Sequence, residues 1–249
     1  MHRWILGGGW LLAAALAQPA LAARTPAPAL ARRACPAATA GGIERFITAD
    51  CADCWAAALG GGDGAGPDSL AAAPAPARRW TLDWLLPRGA DAAMAAAALP
   101  EASERSQRAG LPAEAAAPGP NQRQAERRAQ RPWPGLALRV SSGPAWQGYF
   151  GLQLRVAVTQ ATRLPAGSTA WLALVEHLPA GQEGSALPRQ LVRSVAGPLP
   201  LQALRAGQPL SHLQALRWPA GAQPERLRAR GWIEAADGRM LAMAGDRCD

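Results

Sequence analysis

Not one lysine occurs in this 249-residue chain: its 26 cationic side chains are all arginine, against 18 aspartates and glutamates, for a formal net charge of +8. Alanine, glycine and proline abound alongside the arginine, as GC-rich bacterial coding produces, so the basic balance is not read as a nucleic-acid footprint. Scattered solvated charge is the preferred reading; anionic lipid headgroups or acidic proteins are what a basic surface would attract. Histidine is scarce too. Of the three, His177 and His212 lie in or beside expected strands with no motif around them. Ser211 adjoins His212, but neighbouring residues on a strand point to opposite faces, which removes that pair from a hydrolase reading. A zinc site would need Cys35, Cys51 and Cys54 to converge with His177 or His212, and no second Cys-x-x-Cys supports it. With no phosphate-binding glycine motif either, no cofactor and no metal are expected.

Long apolar runs are confined to the N-terminus. Met1-His-Arg3 supplies a positive start, Trp4 to Leu16 an apolar stretch and Ala20-Leu21-Ala22 a small-x-small site, the three parts of a secretory signal peptide with cleavage expected before Ala23. An uncleaved anchor is the competing reading, but the run falls short of the roughly 20 residues that span hydrocarbon. The expectation is a periplasmic or secreted protein with no transmembrane segment after cleavage. Nothing in the sequence sets an oligomeric state.

All four cysteines lie beyond that segment, and an even count in an oxidising compartment favours pairing, with three connectivities open. Cys51 with Cys54 is the local choice and leaves Cys35 for Cys248. That second bridge would close a loop of about 200 residues and stabilise the fold by several kcal/mol in the chain-entropy account. Cys51-Ala-Asp-Cys54 follows an apolar run and precedes the Ala-rich Trp55 to Leu59, so the pair is placed between a strand and the first turn of a helix. A helix start offers unpaired N–H groups that stabilise a thiolate. Asp50 and Asp53 flank the thiols and oppose that effect. A small inert staple is the alternative reading of the same four residues.

Along the chain, 23–42 reads as an extended leader. Residues 43–111 carry β-α-β-α: a strand Ile43 to Thr48, the cysteine-bearing helix start, a strand Trp80 to Leu86, and an Ala-rich helix Ala92 to Leu99 with Asp91 as its N-cap. The glycine- and proline-rich 60–76 would be a loop. Residues 112–134 read as a polar linker or exposed helix, the helix falling on Asn121 to Arg131, which has no apolar stripe to bury. From 135 to 249, seven short runs between Gly and Pro turns argue for an antiparallel sandwich. Asp237-Gly238 is expected to make a type I′ hairpin, and Pro144 to Phe150 an exposed aromatic loop.

Three places carry a family resemblance: Glu44-Arg-Phe-Ile-Thr-Ala-Asp-Cys-Ala-Asp-Cys54, the strands Ala170 to Glu176 and Arg189 to Val195, and the closing hairpin at Asp237-Gly238. The arrangement resembles a family of secreted bacterial proteins of unknown function with a thioredoxin-like N-terminal half and a β-rich C-terminal half. The resemblance implies an α+β class: a thioredoxin-like α/β half followed by an antiparallel β-sandwich-like half. It also implies a cis-proline facing the cysteines. Trp55 stands where the family has proline, and no Thr-Pro follows Thr25-Pro26, which leaves Pro132 and Pro134 as candidates. Two functions follow. In one, Cys51 and Cys54 are catalytic, exchanging disulfides with an exported protein thiol or disulfide. In the other, the protein is a non-enzymatic envelope binding or structural protein with two structural disulfides.

Overall fold

The computed structural model describes residues 42–56, 80–111, 122–127 and 133–247. The expected signal peptide, the leader up to residue 41, the 60–76 loop, Cys35 and Cys248 lie outside the described residues.

Strand dominates. The elements are β1 (Gly42–Thr48), α1 (Ala52–Ala56), β2 (Trp80–Leu86), α2 (Pro100–Arg108), β3 (Gln122–Arg127), β4 (Leu136–Trp146), β5 (Tyr149–Val158), β6 (Thr169–Leu178), β7 (Arg189–Pro200), β8 (Leu210–Arg217), β9 (Leu227–Glu234) and β10 (Met240–Gly245). They form a seven-stranded sheet in the order β10-β9-β6-β7-β2-β1-β3 and a three-stranded sheet in the order β4-β5-β8. This overturns the expected α+β class with a thioredoxin-like α/β half. The protein is β-rich, and β2 is hydrogen-bonded in parallel to β7, so strands from both expected halves share one sheet.

The helices that an α/β half would need are mostly not where the sequence put them. Ala92 to Leu99 gives only a 3-10 turn at Ala95–Ala97, with turn residues on its N-terminal side and Asp91 capping no α-helix. Its alanines have good helix propensity, but they carry no apolar stripe, and packing rather than propensity sustains most helices. The α-helix comes one step later, where Pro100 occupies the first turn, a position that needs no N–H. Gln122–Arg127, within the segment read as a helix, is instead an edge strand antiparallel to β1.

The large sheet is strongly curled. Arg105 on α2 bonds both Glu44 on β1 and Glu234 on β9, although three strands separate β1 from β9. In a flat sheet those strands would lie about 19 Å apart. The concave face closes over α2 and an aromatic cluster of Phe46, Trp84, Trp171 and Trp232, with Trp171 and Trp232 stacked at 6.1 Å. On the convex side, β6 and β9 pack Leu172, Leu174 and Ile233 against Leu138, Leu152, Leu154 and Val156 of the small sheet. Gly231 permits this close approach: a Cβ there would sit 2.7 Å from Val140 Cγ2.

Turn chemistry departs from expectation at two places. At Asp237-Gly238 only Gly238 has positive φ, 79°, and the ladder slips between Met240 and Ala242, so the hairpin uses a single left-handed glycine and a bulge. The paired positive φ of a type I′ turn occurs at Gln147 (47°) and Gly148 (81°), making Pro144 to Phe150 a hairpin rather than a loop.

Candidate functional site

Cys51 and Cys54 are disulfide-bonded, with Cα atoms 5.2 Å apart. The chain leaves β1 at Thr48, and the Cys51 N–H donates to the Thr48 carbonyl at 3.0 Å, a tight turn that delivers Cys51 to the start of α1. The Cys54 N–H donates to Cys51 Sγ at 3.2 Å. Both cysteines are half-buried, while Asp50, Ala52 and Asp53 are exposed, so the bridge lies at the surface. Its underside differs: Cys54 packs against the cluster of Ile47, Trp55, Leu85 and Leu191.

A five-residue helix is too short to hold itself together, since nucleation costs more than one turn returns. Tertiary ties hold it. Arg189, at the start of β7, donates from Nη2 to the Trp55 carbonyl at 2.6 Å and reaches the Cys54 carbonyl at 3.4 Å, engaging carbonyls that the helix end leaves without an intrahelical donor. Its guanidinium also stacks over the Trp55 ring at 4.9 Å. Trp55 Nε1 donates to the Glu183 carbonyl at 2.7 Å, and the Ala186 N–H donates to the Ala56 carbonyl. Burial pushes the Arg189 guanidinium below its ordinary range. Asp83, 3.5 Å away, works against that lowering, and the nearby Arg45 adds to it.

Sequence reading named the cysteines and missed their support. Arg189 and Glu183 stand about 130 residues downstream, and no local pattern links them to the helix they hold. The remaining candidates are dispersed. His212 Nε2 lies 2.9 Å from the Pro200 carbonyl, and Ser211 pairs with Arg155 on the outer face of β8. His177 is half-buried on β6, away from both. The cis peptide among the described residues is Gly197–Pro198 in β7, whereas Pro134 belongs to a turn and Pro132 lies outside the described residues. A cleft of about 290 Å³ opens beside the site, bounded by Ala97, Leu99, Arg193 and Trp218. Ala97 joins the two, since it also packs onto the cluster beneath Cys54. Arg193 is held there by Glu176 and Glu183.

No family model matches the chain, and no curated protein matches it. Among solved structures, HBP35 of Porphyromonas gingivalis matches at a TM-score of 0.49 and 8% identity, over 84% of this chain and 73% of that one. A likeness at that level assigns neither fold nor function.

Proposed function

We propose that this is an exported protein whose Cys51–Cys54 bridge exchanges with a thiol or disulfide of another exported protein, on a β-rich scaffold. The observation that carries the reading is the asymmetry of the pair. The Cys51 sulfur accepts the Cys54 N–H, a donor that favours negative charge on that sulfur, while Cys54 is seated on an apolar cluster. In the oxidised protein a partner thiolate attacks Cys51 Sγ, the Cys51–Cys54 bond breaks, and the electron pair leaves on Cys54. A second partner thiolate then attacks the partner sulfur of the mixed disulfide, releasing the Cys51 thiolate and a partner disulfide. Two electrons pass from partner to protein, and the reverse sequence returns them.

A second reading is favoured by the ties around α1. Arg189, Glu183 and Ala186 fasten the helix so thoroughly that the bridge could serve as a staple in a non-enzymatic binding protein. The reduction potential separates the two. In a Cys35→Ser, Cys248→Ser background, titrated against glutathione with trapped species weighed by mass spectrometry, exchange predicts a value of about −120 to −270 mV. A value below about −300 mV would overturn exchange in favour of the staple.

A further inference from the structure

The outward face of the small sheet has a composition that the rest of the fold does not explain. Along β4, β5 and β8 inward and outward residues alternate; the inward residues on β4 and β5 are apolar apart from Ser142, whereas β8 turns His212 and Gln214 inward beside Leu210 and Leu216. Outward stand Arg139, Arg155 and Arg217, separated mostly by alanine, glycine, serine and glutamine. Among the described residues none of these three arginines makes a hydrogen bond or an ion pair. No aspartate or glutamate occurs between Glu126 and Glu176, or between Glu183 and Glu225, so all three strands are free of acid.

Arg139 lies directly opposite Arg155 in the ladder. Like charges facing each other across neighbouring strands destabilise a sheet. The arrangement therefore runs against the fold's own stability, and an anion settling between the two guanidinium groups would offset it. At the far end of the same face Trp146 pairs with Tyr149, and Tyr149 with Arg217. Trp146 is 72% exposed, Tyr149 48%, and Leu213, between the two arginine rows, 74%. The two rows are six residues apart along β5, about 20 Å.

We propose that this face docks onto an anionic phospholipid bilayer, its arginines on headgroup phosphates and Trp146, Tyr149 and Leu213 in the interfacial layer. Guanidinium groups match phosphate oxygens in paired hydrogen bonds, and tryptophan and tyrosine favour the headgroup level because one end of each ring system is polar. The spread of its charges over about 20 Å favours a bilayer over an acidic chain. Headgroups diffuse laterally and can meet separated arginines without a fixed spacing. The surface uses neither cysteine, so its failure would leave the exchange reading untouched.

The test is co-sedimentation of the full chain with vesicles of equimolar phosphatidylglycerol and phosphatidylcholine, against pure phosphatidylcholine. Each arginine near an anionic surface contributes roughly fivefold, so the three together predict a preference on the order of 100-fold at low salt, shrinking as salt screens the charges. The double variant Arg139→Ser, Arg155→Ser should lose about 25-fold of that affinity. Trp146→Ser should weaken binding in a manner that salt does not alter. All three substitutions fall on exposed positions, and an unchanged circular dichroism spectrum would establish that they fold. Equal binding to both vesicle types would overturn the proposal, as would variants that bind as the parent does. Retention of the chain by soluble heparin with no sedimentation on vesicles would overturn it in favour of a polyanion.

Discussion

The two sheets handle charge in opposite ways. The large sheet encloses it: Glu44, Asp83, Arg105, Glu176, Arg189, Arg230 and Glu234 are each 2% exposed or less. The small sheet buries no charged side chain from its own strands and carries its arginines outside. The difference follows from covering. β1, β2, β6, β7 and β9 are packed on both faces, by α2 and the aromatic cluster on one and by the small sheet or α1 on the other, so ionic groups on them must find partners indoors. β4, β5 and β8 are packed on one face only, and water takes the rest. Charge thus holds the large sheet in its curl, whereas on the small sheet it contributes nothing to holding the fold and, at Arg139 and Arg155, works weakly against it.

The largest test of this contrast is Arg105→Ala. Burial alone would lower the Arg105 guanidinium, but Glu44 and Glu234 outweigh it and raise it above its ordinary value. Trp84 Nε1 shares Glu44 at 3.1 Å, and the Trp232 ring lies 5.0 Å below the guanidinium. Removing the cation leaves two carboxylates buried together and should cost about 3–5 kcal/mol in urea denaturation. Replacing all three ions at once, Glu44→Gln, Arg105→Met and Glu234→Gln, should recover most of that loss, because it is the unpaired charge that destabilises. If Arg105→Ala proves nearly neutral, the charges are ornaments on the curl rather than its tie.

A smaller effect is expected where the sheets meet. Gly231→Ala pushes a methyl into Val140 and Leu154, which are fully buried and belong to a close-packed apolar layer. Overpacking of this kind costs about 1–3 kcal/mol. Thermal unfolding would read it, and pairing the change with Val140→Ala should return part of the loss by vacating the contact.

How much was legible in the sequence divides along the same line. The inward leucines and valines of β4 and β5 alternate with exposed residues, so period-2 reading located both strands, Tyr149 to Val158 at its exact ends. β2 reads as a buried strand because every residue of it is buried. Reading failed where burial is ionic. Pro100–Arg108 looks like solvent-exposed polar chain, yet Arg105 and Ser106 are buried in it, and Arg105 is bonded to carboxylates more than 60 residues away in either direction. No periodic rule flags a helix whose buried face is an arginine. The cysteine pair was found from local spacing, while Arg189, which engages the end of its helix, is tied to it only by tertiary folding.

The smallest predicted effect separates stability from surface function. On the large sheet the two cannot be uncoupled, since altering Arg105 changes the fold that any site depends on. On the small sheet they should move in opposite directions. Arg155→Glu turns the facing Arg139 pair from like to opposite charge, which should stabilise the protein by roughly 0.2–1 kcal/mol. The same change places an acid in the middle of the arginine face and, at roughly fivefold per charge, should cut the preference for phosphatidylglycerol vesicles about 25-fold. A variant that melts higher and sediments more weakly would establish that Arg155 is kept against the interest of folding. One that melts lower would mean that the guanidinium supports its own strand, and the contrast between the two sheets would lose its sharpest instance.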